Sequence, residues 1–197
     1  MSVPAFIAKR LVPHSAPVKT FAEATHEMAT ASGHLVGVRF EEQLGKHWCW
    51  AAVSVAMRAF VRKDLPALSQ CQLAKIHLRH DHDCCATSPP ADECDQEAAL
   101  EDTLPEAGVA VQDPTGSLTF FELTAELTAS PNRPVCAMID FADAPKHFVQ
   151  IDGFQNDGSI EYIINDPQRG VLTMPASDFE TNYHNENGRW RKSYLLA

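Results

Sequence analysis

At 197 residues, 45% of them hydrophobic, the chain is long enough for one domain with a proper core, or for one domain plus an extension. Its formal net charge of −10, from 26 acidic against 16 basic residues, is the wrong balance for neutralising phosphates and argues against a nucleic-acid binder. No apolar run reaches the roughly 18 residues that a membrane-spanning helix needs. Residues 1–20 carry Lys9 and Arg10 but no apolar stretch followed by a small-residue cleavage site. The expectation is therefore a cytoplasmic protein, or one exported without a conventional signal.

Residues 1–37, with Pro4, Pro13 and Pro17 and a weakly helical stretch over 21–30, read as an N-terminal extension or pro-segment. Residues 38–197 read as the domain itself. Val36 to Phe40 alternates like a short strand. Trp48 to Arg62 contains no Gly or Pro and is rich in Ala, Val, Met and Phe, which predicts a largely buried helix. A second helix is predicted over Leu68 to Arg79, with Leu68, Cys71, Ala74 and Leu78 as its main apolar stripe. From His80 to Asp95 the chain is polar, rich in Cys and broken by Pro89-Pro90, so it reads as a constrained loop. A short helix within 96–107, a strand at Val109 to Val111 and a helix over Leu118 to Ala129 follow. The last third is strand-rich: Val135 to Ile139, Phe148 to Phe154, Ile160 to Ile164, Val171 to Met174 and Trp190 to Leu196. Asn156-Asp157-Gly158 supplies a hairpin turn between the second and third of these. Helices first and an antiparallel sheet afterwards predict an α+β fold.

The segment Gln43-Leu44-Gly45-Lys46-His47-Trp48-Cys49-Trp50-Ala51-Ala52 carries the most chemistry. A cysteine opening a buried helix sits in the positive field of the helix N-terminus, which favours the nucleophilic thiolate. Gln43, in the loop ahead of it, can offer a side-chain N–H which, with the backbone N–H of Cys49, would stabilise an oxyanion. The bland alternative is a packed core cysteine.

About a hundred residues later His147 heads the alternating strand His147-Phe148-Val149-Gln150-Ile151-Asp152-Gly153-Phe154. His147, Val149, Ile151 and Gly153 are expected on one face. Ile160, Tyr162, Ile164 and Asp166 share a face of the next strand, so a tight turn brings Asp166, or Asn165, beside the imidazole. An orienting group must stand there to fix the tautomer and stabilise the imidazolium.

Taken together, Gln-x5-Cys-Trp-Ala-Ala, His-Phe-Val-x-Ile-Asp-Gly-Phe and Asn-Asp-Pro resemble the papain-like cysteine peptidases of bacteria, in particular the avirulence-effector and bacteriocin-processing groups. The resemblance covers roughly residues 36–195. It implies a helical lobe followed by an antiparallel β-sheet lobe with the active-site cleft between them. It also implies Gln43 as oxyanion residue, Cys49 as nucleophile, His147 as base and Asp166 as orienting acid. His47-Trp48 stand where papain itself has glycine and serine, and Asn165-Asp166-Pro167 replaces its Asn-Ser-Trp segment. Trp48 or His47 is the candidate for lining the substrate cleft, and Trp50 for packing between the lobes. The chemistry calls for no cofactor and no catalytic metal. The resemblance further implies a protein or peptide substrate, an inhibitor or immunity protein as partner, and effector- or toxin-like delivery to another cell.

Of the six cysteines, Cys71, Cys84, Cys85 and Cys94 cluster near His77, His80 and His82. Disulfides, packed thiols and zinc are all open readings, although no Cys-x2-Cys pair marks a standard zinc module. Adjacent cysteines rarely bond each other, so Cys84 and Cys85 each need a partner elsewhere. The family resemblance points to lobe-stapling disulfides, with Cys71 and Cys94 bonded to the Cys84-Cys85 pair. Cys136, in an apolar strand, reads as inert core, and residues 92–97 as a solvated acidic stretch. Against the peptidase stand an enzyme using the same triad for acyl transfer or deamidation, and a zinc-stabilised binding module in which Cys49 is only core.

Overall fold

The computed structural model describes residues 33–197, so most of the expected extension, including the stretch over 21–30, lies outside the described residues. Helix α1 (Cys49–Val61) is buried at every position from Cys49 to Met57, as its largely apolar composition demands, and the one hydroxyl there, Ser54, bonds Thr103 Oγ1 at 3.0 Å. Helix α2 (Gln70–Leu78) starts later than Leu68 because Ser69 and Gln72 form a reciprocal capping box that satisfies two leading amides. Helix α3 (Leu100–Glu106) holds Pro105 in its last turn. Thr119 and Glu122 cap α4 (Phe120–Leu127) in the same reciprocal way.

The strands are β1 (Gly33–Leu35), β2 (Val135–Asp140), β3 (His147–Asn156), β4 (Ile160–Asp166), β5 (Gly170–Pro175) and β6 (Arg189–Tyr194). They form one antiparallel sheet in the order β5-β4-β3-β2-β6, with β1 on β3. β2 pairs with residues 147–151 of β3 and β1 with residues 153–155, so the two share one edge of that long strand. A short helix, α5 (Ala176–Thr181), follows β5. The α+β order of helices before sheet is thus present.

The sheet is covered on both faces. Cys136, Met138, Phe148 and Tyr194 pack with Trp48, Trp50, Val53, Leu73 and Leu104 of the helical part. Val135, Ala137, Ile139, Val149, Ile151, Tyr162 and Ile164 pack with Leu123, Leu127, Phe179, Tyr183 and Trp190. The period-two alternation of β2 therefore feeds two cores rather than one core and solvent.

Three local expectations need correction. Residues 36–40 are not a strand: the Gly37 backbone has φ +85°, and the amide of Val38 donates to Asp152 Oδ1 rather than to a neighbouring strand. Strand pairing falls instead on residues 33–35. Residues 109–111 contribute only an isolated bridge, Val111 to Leu196. Gly153 does not continue the His147 face, because the β3–β4 register shifts between Ile151 and Gly153.

Two disulfides, Cys71–Cys85 and Cys84–Cys94, close loops with sequence separations of 14 and 10 residues and staple the chain after α2. Cys49 and Cys136 are free and buried. The non-reduced protein should weigh about four hydrogens less than the reduced protein, two per bridge. Replacing Cys71 and Cys85 together by Ser should lower unfolding stability in urea by about 2–4 kcal/mol. An unchanged midpoint would show that the bridge constrains nothing.

Candidate active site

Cys49 is the first residue of α1, and no side chain caps that helix. The leading amides, that of Cys49 among them, are therefore left without an intrahelical partner. The thiol shares one hollow with the His147 ring at the head of β3 and acts on the charge of that ring. His147 Nε2 in turn stands 2.8 Å from Asp166 Oδ1 at the end of β4. With Nε2 committed to the carboxylate, Nδ1 is the ring nitrogen left for the cysteine.

The register explains this meeting. Gln150 pairs with Asn165 and Ile151 with Ile164. Continued one step, it sets Asp166 opposite Val149, and His147 lies two residues along the same face, on the diagonal that long side chains bridge. Asn165 has the opposite parity: it is buried, and its Nδ2 donates to the Val38 carbonyl at 3.3 Å.

Asp166 has no solvent exposure. Its Oδ1 also accepts from the amide of Gln168 at 2.8 Å, and its Oδ2 from the Tyr183 hydroxyl at 2.7 Å. Burial works against its charge, but the His147 hydrogen bond and charge, the Tyr183 hydroxyl and the Gln168 amide together hold its pKa below the usual carboxylate value. Burial likewise opposes a charged His147 ring, yet the bonds from Asp166 and then from Cys49 raise its pKa from 6.5 to about 9. Burial, and then Asp166, push the Tyr183 hydroxyl far up, so it remains a donor. His184 Nε2 lies 3.7 Å from Asp166 Oδ2 but is held below its ordinary value by burial and by Arg169.

On the other side of Cys49, the segment following Cys94 grips the loop that leads into α1. Asp95 accepts from the amides of Lys46 and His47 at 3.1 and 2.8 Å, and His47 Nδ1 sits 3.0 Å from the Asp95 carbonyl. Trp48 Nε1 donates to the Cys94 carbonyl at 2.7 Å and Trp50 Nε1 to the Gln96 carbonyl at 2.9 Å. Gly45 allows the loop to close, since a Cβ there would meet Asp95 Oδ1 and Trp48 Cγ, each at 2.8 Å. Asp95 is accordingly no part of a solvated stretch. Its side chain is only 14% exposed, a role that a run of acidic residues does not reveal. Tyr183 was equally invisible, as a single aromatic in a polar segment without periodicity.

The other expected site residues are distributed unevenly. His47 lines the cleft, where hollows of about 350 and 280 Å³ share Cys49, Glu97 and Lys146 as walls. Trp48 does not line it: the ring is fully buried beneath the loop, which corrects its assignment to substrate contact. Gln43 turns its side-chain amide onto its own loop, with Nε2 donating to the carbonyls of Gly45 at 2.9 Å and Lys46 at 2.7 Å. Its backbone amide donates to the Pro167 carbonyl at 3.0 Å, which ties the cysteine loop to the turn after Asp166. Burial holds the Cys136 thiol far above its ordinary pKa, so it is inert.

Thiol, imidazole and carboxylate thus stand in series at the mouth of a cleft, an arrangement that has the parts of a nucleophile, a base and a group to orient the base. The chain matches no protein-family profile and no curated protein sequence. Among solved structures it is similar to xylellain, a cysteine protease from Xylella fastidiosa, over 97% of this chain and 98% of that one, at 11% identity and a TM-score of 0.45. At that level the chemistry rests on the residues themselves. Among the described residues no helix is long and apolar enough to cross a membrane.

The His147 titration tests the electrostatics directly. By NMR the ring should titrate near pH 9, and Asp166→Asn should move that midpoint down. Because the folded pKa lies above the ordinary 6.5, the stability contributed by the charged ring is full below about pH 6.5 and lost as pH rises through about 9. A midpoint left unchanged by Asp166→Asn would mean that the carboxylate does not hold the proton.

Proposed function

We propose that this chain is a papain-like cysteine peptidase that cleaves peptide bonds through an acyl-enzyme. The observation that carries the reading is the series Cys49–His147–Asp166, in which the carboxylate bonds the ring and the cysteine bears on its charge, with the cysteine at a helix N-terminus and the other two on adjacent strands. The motif resemblance supports it independently. Cys49 Sγ, as thiolate, attacks the scissile carbonyl carbon, and the C–O π electrons move to oxygen. His147, as imidazolium, gives its proton to the leaving amine as the C–N bond breaks. In the second half His147 takes a proton from water, whose oxygen attacks the thioester and releases Cys49.

The backbone amide of Cys49 is one oxyanion donor in this scheme, and Gln43 is the second. For that role one Gln43 N–H must leave the loop carbonyl that it now bonds.

A thiol-directed peptidyl epoxide should label Cys49 alone, and Cys49→Ala should abolish both labelling and the appearance of new protein N-termini in cells expressing the chain. Cleavage that survives Cys49→Ala would overturn the mechanism. Gln43→Ala should slow turnover by roughly 10²–10³-fold while leaving alkylation of Cys49 nearly unchanged, since alkylation builds no oxyanion. Equal loss of both would make Gln43 a brace for the loop and not a hole donor.

A further inference from the structure

Four side chains that the proposed reaction does not use converge beside the Cys84–Cys94 bridge. One ligand atom from each of His80, His82, Cys84 and Cys94 can be chosen so that all four lie within 4.8 Å of one another. Both cysteines are buried, and the two histidine rings lie side by side, tilted by 32° with centroids 4.7 Å apart. His82 Nε2 stands 3.6 Å from Cys94 Sγ. We propose that this cluster is a redox-gated zinc site: once the Cys84–Cys94 bridge is reduced, His80, His82, Cys84 and Cys94 take one Zn2+ in tetrahedral geometry.

The distances suit that ion. Zn–S bonds of about 2.3 Å and Zn–N bonds of about 2.0 Å make tetrahedral edges of roughly 3.3–3.8 Å. The His82–Cys94 edge is already of that length, the widest edge closes by about 1 Å, and the Cys84–Cys94 edge, now the S–S bond, opens to about 3.8 Å once reduced. Partners for the other ring nitrogens stand nearby, although Asp81 is itself exposed. His82 Nδ1 lies 3.4 Å from Asp81 Oδ1, which leaves Nε2 to the metal in the carboxylate–histidine–metal arrangement. His80 Nε2 stands 3.1 Å from the Glu93 carbonyl, which leaves its Nδ1. Glu93 Oε1, 3.8 Å from His82 Nε2, adds negative charge at the rim. Lys75 Nζ fixes the backbone between the two histidines by donating to the Asp81 carbonyl at 2.9 Å.

The exchange balances without an external metal redox step. Two molecules of a small thiol reduce the S–S bond to two cysteine thiols and leave as their own disulfide. Zn2+ then displaces the two thiol protons to solvent, and two thiolates with two neutral imidazoles make an uncharged centre. The consequence reaches the cleft, because Cys94, Asp95 and Gln96 hold the loop before Cys49. The bridge tethers that segment under oxidising conditions, and the metal tethers it under reducing ones.

The test uses the full chain carrying Cys49→Ala, which removes the cleft thiol from competition. The protein is reduced with a phosphine and titrated anaerobically with Co2+ and then Zn2+. The expected result is one equivalent bound per chain only after reduction, with the visible absorption of tetrahedral thiolate-ligated Co2+ lost on adding Zn2+, and a higher melting temperature for the reduced protein with Zn2+. His82→Ala and His80→Ala, whose folding is checked in the disulfide form, should each weaken binding by at least about 100-fold, and Asp81→Ala by about 10–100-fold. Replacing Cys71 and Cys85 by Ser should leave the affinity unchanged. Absence of stoichiometric binding, binding indifferent to both histidines, or binding that depends on Cys71 and Cys85 would each overturn the proposal.

Discussion

A carboxylate with no exposure to water organises the sheet side of this site. Removing Asp166 from solvent costs several kcal/mol unless its lone pairs are met by donors. Three different parts of the chain meet them: the ring at the head of β3, the turn after β4, and a tyrosine brought round by the loop after α5. Each donor comes with a backbone requirement. His147 needs the β3–β4 register, Gln168 needs a tight turn after Pro167, and Tyr183 needs α5 to carry the chain back over the sheet. A fault in any of them leaves a buried charge underpaired, so the fold and the orientation of His147 are secured by the same interaction.

The helical side is held differently, by backbone carbonyls and one second carboxylate rather than by a buried charge pair. Cys94 and Gln96 present their carbonyls to Trp48 and Trp50, and Asp95 its carboxylate to the amides of Lys46 and His47. The Cys-rich loop is thus part of the scaffold of the cleft. Covalent closure at Cys94 reduces the freedom of the very residues that position the helix N-terminus, so the bridge acts on geometry as well as on the unfolded chain. The two sides join where the Gln43 amide bonds the Pro167 carbonyl, one residue after the buried aspartate.

Much of this was legible in the sequence because it is periodic. Alternation along β3 and β4 placed Asp166 rather than Asn165 toward His147, and the uninterrupted apolar run after Trp48 marked the helix that Cys49 opens. What escaped is aperiodic. The bulge at Asp152 depends on a side chain capturing the Val38 amide, and no pattern of apolar residues announces that. Trp48 looked like a cleft residue because it adjoins Cys49, yet its indole N–H finds a carbonyl under the loop, and an aromatic with a satisfied polar tip is more stable buried. Asp95 and Tyr183 are single residues whose partners lie 48 and 17 positions away. Their roles are fixed by tertiary contact alone.

The charge on His147 bears on how the two halves of the proposed reaction divide. A ring that holds its proton to about pH 9 is well suited to donate to a leaving amine, and poorly suited to accept a proton from water at neutral pH. Yet part of what sustains that charge comes from Cys49 itself. Once the sulfur is acylated it is neutral and no longer supports the imidazolium, while burial of the ring persists. In the proposed reaction the pKa of His147 would therefore fall on acylation, which would make the ring a base at the step that requires one. Asp166 keeps the ring oriented throughout, so the acid-to-base change needs no rearrangement of the site.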